Sequence, residues 1–239
     1  MGRRRLLGAA AYLFAAGLAA LAAAEMAAGP PPAGTGRIRG TVKVWRDHPL
    51  VGFREGPDNA GALVYVTGFA SAPPSGVALL HQRDEQFEPR LLPIVAGQTV
   101  SFPNHDRIYH NVFSVSPDRP FDLGQYKSKD PPRDVEFDHP GLVPVYCNIH
   151  PQMLAYVVVL ENDAFAMSAS DGSFEIDGLP AGALELHAWI PGAKRVTVPV
   201  AIEPGAERVV ELRLDQEERI PPHKRKDGSD YPKPRYEDD

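Results

Sequence analysis

The chain has one cysteine, Cys147, in Val145-Tyr146-Cys147-Asn148-Ile149-His150-Pro151-Gln152-Met153. His150 follows it by three residues, and Met153 follows His150 by three. A second histidine, His110, lies upstream in Tyr109-His110-Asn111-Val112-Phe113. One thiolate, two neutral imidazoles and one thioether are the donor set of a mononuclear copper site that passes single electrons. The thiolate supplies a soft, short bond, the imidazoles of His110 and His150 complete a trigonal plane, and Met153 sits weakly on the axis. Three of these donors come from one short loop that Pro151 stiffens. His110 must then come from a neighbouring strand, which ties the site to the folded core. Asn111 is placed to hydrogen-bond the backbone around the cysteine and lock the two segments together.

Other chemistries fit the same residues less well. Zinc takes cysteine and histidine, but its usual fourth donor is another Cys, His or carboxylate rather than a thioether. A Cys–His nucleophile usually needs its thiol activated at a helix start, whereas Cys147 is expected at the end of a strand. A multicopper oxidase needs a trinuclear cluster built on His-x-His pairs, and the chain has none. The remaining histidines read as bland. His105 fits a polar corner, His139 a turn, and His48 and His81 the surface. His187 alternates with Leu186 and Ala188, so it is expected on an exposed strand face.

The elements that must position these donors read as short strands broken by Gly and Pro. Ile38 to Val44, Ala62 to Thr67, Val77 to Gln82, Arg90 to Val95, Thr99 to Phe102, His110 to Val115, Asp134 to Phe137, Val143 to Tyr146 and Leu154 to Leu160 all have β character. No segment before residue 215 has a convincing helical period. The expected fold class is therefore all-β, an antiparallel sandwich. Residues 164–214 read as a second, small β-sandwich module, with the hairpin signal Asp171-Gly172 and strands near 173–176, 184–188, 196–202 and 210–214. Its core is thin for independent stability, so it should pack on the first domain, residues 37–163.

Residues 1–28 read as an export signal: Arg3, Arg4 and Arg5, an uncharged Ala/Leu run from Leu6 to Ala24, then small residues. An uncleaved membrane anchor is the competing reading, and the arginines partly resemble a twin-arginine signal. No cysteine follows the apolar run, which excludes a lipoprotein anchor. Residues 29–36 form a Pro/Gly/Ala linker, and residues 215–239, charged and Pro-rich, read as a disordered tail. Without residues 1–28 the chain carries 22 basic and 30 acidic residues, a net charge of −8, which argues against a nucleic-acid partner. A lone thiol in an oxidising, periplasmic or otherwise exported setting survives if it is buried or metal-bound.

Phe102-Pro103-Asn104, Tyr109-His110-Asn111-Val112, Pro140-Gly141 and Tyr146-Cys147-Asn148-Ile149-His150-Pro151-Gln152-Met153 together resemble the cupredoxin (blue copper) family, over roughly residues 60–160. Within it, the Cys-x2-His-x2-Met loop is similar to the short-loop amicyanin and plastocyanin branch. The resemblance implies a Greek-key cupredoxin sandwich and one-electron transfer without enzymatic turnover. It also implies a redox protein partner, a cytochrome or dehydrogenase, with the edge of the second histidine as electron port. Copper storage, delivery or sensing with the same ligands is the alternative. Gly172-Ser173-Phe174-Glu175-Ile176-Asp177-Gly178-Leu179-Pro180-Ala181-Gly182 resembles the carboxypeptidase-regulatory-like β-sandwich repeat. It implies a structural or adhesion module.

Overall fold

The computed structural model describes residues 34–48, 50–217 and 223–232. The export signal and most of the expected linker lie outside them. Every regular element among the described residues is a strand, and no helix there is long and apolar enough to cross a membrane. The chain opens with β1 (Thr35–Arg46), β2 (Arg54–Glu55) and β3 (Leu63–Thr67). A compact series follows: β4 (Val77–Leu79), β5 (His81–Arg83), β6 (Gln86–Glu88), β7 (Leu91–Val95), β8 (Gln98–Phe102), β9 (His110–Ser114), β10 (Phe121–Tyr126), β11 (Arg133–Phe137), β12 (Gly141–Cys147) and β13 (Leu154–Leu160). The last strands are β14 (Phe165–Met167), β15 (Ser173–Pro180), β16 (Gly182–Trp189), β17 (Val196–Ile202) and β18 (Glu207–Gln216).

These strands build two sandwiches. One faces the sheet β10-β9-β12-β13-β7 against β11-β8-β4. Neighbours distant in sequence, and the parallel β13–β7 pair, give it the crossovers of a Greek key. Its core holds Val100, Phe102, Val112, Tyr126, Phe137, Val143, Val145, Cys147, Met153, Val157 and Val159. The other faces β15-β1-β18 against β14-β3-β16-β17, around Ile38, Val42, Val44, Val64, Leu186, Val200, Leu212 and Leu214.

The strand pairing divides the chain differently from the boundary expected at residue 163. β1 runs antiparallel to β15 and parallel to β18, and β3 pairs with β14 and β16. Strands before and after the β4–β13 segment therefore close one sandwich together. The reason is burial. The strands after residue 163 leave Val200, Leu212 and Leu214 without a facing layer unless β1 and β3 supply Ile38, Val42, Val44 and Val64. Period-two alternation lets β3 and β13 serve two cores at once. Val64 and Val66 face the core of the β1–β18 sandwich, while Leu63 and Tyr65 meet Leu91, Val158 and Leu160 in a cluster between the two sandwiches.

Candidate metal centre

Register brings the distant donors together. Cys147 is the last residue of β12 and pairs with Val112 of β9, and Tyr146 pairs with Phe113. His110, two residues before Val112, therefore opens β9 beside the thiol. Past Cys147 the chain turns back into β13 within a few residues. The Met153 N–H donates to the His150 carbonyl (3.2 Å), and the Cys147 N–H donates to the Met153 carbonyl (3.3 Å). This closed loop holds His150 over the cysteine.

The resulting geometry is compact. Cys147 Sγ lies 3.9 Å from His110 Nδ1 and 3.7 Å from His150 Nδ1, and the two imidazole nitrogens are 2.9 Å apart. Donors about 2.0 Å (nitrogen) and about 2.3 Å (sulfur) from one ion, roughly 120° apart, give N···S separations close to those observed, while the 2.9 Å between the two nitrogens corresponds to a narrower angle of about 90°. The residues therefore fit a thiolate–imidazole metal ion. Among the described residues these three form the one group of three or more His, Cys, Asp or Glu side chains close enough to share an ion. Met153 is fully buried in the same core cluster as Cys147 and Val112, on the loop that carries the other two donors. Cys147 is a free, fully buried thiol, and the Ile149 N–H points at its sulfur (3.5 Å).

Asp106 orients the first imidazole. Its carboxylate accepts His110 Nε2–H at 2.9 Å, which leaves the Nδ1 lone pair facing the thiol. The same carboxylate accepts the N–H groups of Asp84 and Glu85 at the β5–β6 turn. Burial pushes the Asp106 carboxyl up, but hydrogen bonds from the Glu85 N–H, His110 and the Asp84 N–H outweigh it and hold it below the ordinary value. Burial depresses the His110 pKa against the opposing hydrogen bond to Asp106, and His150 depresses it further, so the ring is kept neutral for ligation. The Gln152 amide, from the far end of the loop, donates to Glu85 (2.7 Å).

Asn111 ties the two segments by a different route from the expected one. Its backbone carbonyl accepts the Asn148 N–H (2.9 Å), while its side-chain amide donates to Asp122 of β10 (2.6 Å). Lys226 closes the circle: its N–H donates to Asn148 Oδ1 (2.9 Å) and its ammonium pairs with Asp122.

The tail departs furthest from expectation. Residues 215 and 216 end β18, and residues 223–232 lie across the metal loop. The Tyr231 hydroxyl donates to the Cys147 carbonyl. The His223 ring packs on Tyr146 at 4.4 Å between centroids, and Tyr231 meets His223 edge-on at 5.2 Å. Burial and the neighbouring Cys147 push the Tyr231 phenol up, so it stays a donor. Asp106 had a legible signal in its spacing of four before His110. Asp122, Lys226, His223 and Tyr231 had none, because nothing in a Pro-rich, charged run marks what it folds against.

His187 also departs from expectation. It is buried, stacked on Tyr65 (4.8 Å), with its two ring nitrogens each 2.8 Å from a threonine hydroxyl, those of Thr67 and Thr197. The alternation was read correctly, but this face of β16 packs toward the β4–β13 sandwich instead of water. His48 is exposed as expected, His81 is half-buried, and His139 lies at a bend.

No family model matches the chain, and no curated protein does. Solved structures similar to it are cupredoxins at low identity. A purple cupredoxin from Nitrosopumilus maritimus is 22% identical over 35% of this chain and 99% of its own, with a TM-score of 0.32. Amicyanin from Paracoccus versutus is 20% identical over 40% of this chain and 98% of its own, with a TM-score of 0.32. A copper-containing nitrite reductase from Thermus scotoductus is 25% identical over 41% of this chain, which spans 25% of the reductase, with a TM-score of 0.35. Likeness at this level carries no weight for function, which rests on the side-chain geometry.

Proposed function

We propose that the protein is an exported type 1 copper protein that carries single electrons between redox partners. The carrying observation is the convergence of His110, Cys147 and His150 within bonding reach of one point, with Met153 buried on the same loop. A copper ion held there would supply one-electron chemistry. The chain's part is to keep the donors still. Asp106 fixes the His110 ring, the β9–β12 register fixes Cys147 against it, and the Asn111–Asp122–Lys226–Asn148 circuit fixes the loop from outside. Rigid donors change position little between charge states, which favours electron exchange over metal release. Carrying electrons rather than turning over a substrate accords with a fully buried thiol. A cytochrome or dehydrogenase is the proposed class of partner.

Copper-loaded protein should show an intense visible band from thiolate-to-copper charge transfer, and Cys147→Ser should abolish it while circular dichroism stays β-rich. A colourless copper-loaded wild type would overturn the proposal. Rapid handover of copper to an apo-acceptor, without electron exchange with a c-type cytochrome, would favour delivery instead.

A further inference from the structure

His81 and His105 form a second imidazole pair outside the centre described above. His81 Nδ1 lies 2.9 Å from His105 Nε2, with ring centroids 5.1 Å apart and planes inclined at 35°. His105 is exposed and His81 half-buried, so the pair opens to solvent. The two rings come from backbone that is held on both sides. The Gln82 N–H donates to the Pro103 carbonyl and the His105 N–H to the Gln82 carbonyl, each at 2.9 Å. Beneath them, the buried Gln82 amide donates to Phe102 O and Tyr126 Oη, and the buried Asn104 amide to Tyr126 O. Both Cα positions are therefore fixed by polar groups anchored in the core, and only the two rings face water.

We propose that His81 and His105 form a second, solvent-open site for a divalent cation of tetragonal preference, Cu2+ or Ni2+. An ion about 2.0 Å from two nitrogens that are 2.9 Å apart is subtended at about 90°. That is the cis angle of a tetragonal field rather than the wider tetrahedral angle. The spacing equals that between the His110 and His150 nitrogens, so the fold presents two imidazole pairs at one separation. A bare imidazole–imidazole hydrogen bond on a solvated surface gains little over water, so the pairing gains most where an ion bridges the rings. Glu88 is the antiparallel partner of His81 across the β5–β6 hairpin and shares its face. Its carboxylate pairs with Arg83 (3.9 Å), so the two imidazoles are the protein donors and water completes the remaining positions. His105 is next in sequence to Asp106, so the outer site and the His110 corner share one piece of backbone.

The test is a Cu2+ titration of the full chain followed by electron paramagnetic resonance, after one equivalent of copper has been loaded. In wild type the second equivalent gives a tetragonal signal with splitting from two imidazole nitrogens. In His81→Gln/His105→Gln that signal is lost, while the spectrum of the first equivalent is retained and reports an intact fold. The idea is overturned if wild type takes up no second ion, or if the double variant binds it as wild type does. The outer site does not depend on the electron-carrier reading. In Cys147→Ser/His150→Gln, which leaves the inner centre a single imidazole, the two-nitrogen tetragonal signal persists although the intense visible band is gone, so the two proposals fail separately.

Discussion

Asp106 accepts three donors at once, the N–H groups of Asp84 and Glu85 and the Nε2–H of His110. Removing its carboxylate frees the His110 ring to rotate and lets the other tautomer form. Asp106→Ala should therefore weaken metal binding by about 10–100-fold, measured by chelator competition, with the β-sheet spectrum unchanged. His187 makes a second prediction at this scale, independent of metal. Burial depresses its pKa, the Arg195 charge depresses it further, and Glu185 and Glu161 only partly oppose them. The native state thus holds His187 neutral, whereas the unfolded chain takes up a proton below about pH 6.5. Its contribution to stability is present above that value and is lost as pH falls through it toward the lower native pKa. Urea unfolding of the metal-free protein should weaken between about pH 7.5 and about pH 5.5 more steeply in wild type than in His187→Gln. Equal slopes would remove His187 as the cause.

Elements explain which donors the chain can bring together, and how firmly. The tail segment 223–232 meets the Cys147 loop through Tyr231, Lys226 and the His223 ring. Truncation after Gln216 should leave both sandwiches folded but free the loop. Losing about 1.4 kcal/mol of net hydrogen bonding corresponds to roughly tenfold faster metal release to a chelator; an unchanged release rate would mean that the tail only decorates the surface. β1 supplies a sharper case. A Cβ added at Gly40 would sit 2.2 Å from the Val210 carbonyl oxygen and 3.0 Å from the Phe174 ring. Gly40→Ala should therefore cost about 1–3 kcal/mol in chemical denaturation, because β1 cannot move away from β15 without straining β18. Strand existence was legible where alternation was clean, as in Thr99–Phe102, or where β-prone apolar residues ran together, as in Leu154–Leu160. β10 was not, since its ladder with β9 shifts register between Asp122 and Gln125. The metal loop was legible because its donors are rare residue types at fixed spacing. The partners of β1, β3 and the tail were not, because pairing is decided by which apolar faces remain uncovered, and that is a property of the assembled sheets.

At the scale of the whole molecule, the sandwich that carries His110, Cys147 and His150 is one continuous stretch, β4 to β13, set between strands that close the other sandwich around it. Both its ends are therefore tied to a second folded body. The bodies share an apolar cluster, Leu63, Tyr65, Leu91, Val158 and Leu160, flanked by the edge-on Tyr156–Trp189 pair at 5.5 Å. Strain in one sandwich reaches the other through β3 and β13, each of which has side chains in this cluster and in a sandwich core. A metal that binds only the native site stabilises whatever unfolds together with that site, by about 2.7 kcal/mol at a free concentration a hundred times its Kd. Calorimetry of wild type should thus show a single transition that moves as a whole when metal is added. Leu63→Ala combined with Leu160→Ala removes side chains worth about 2–5 kcal/mol each from the shared cluster. The transition should then split, with only the part belonging to β4–β13 responding to metal. Two transitions already present in wild type would show that the cluster does not couple the sandwiches, and that the appended strands serve the metal centre only by holding its ends.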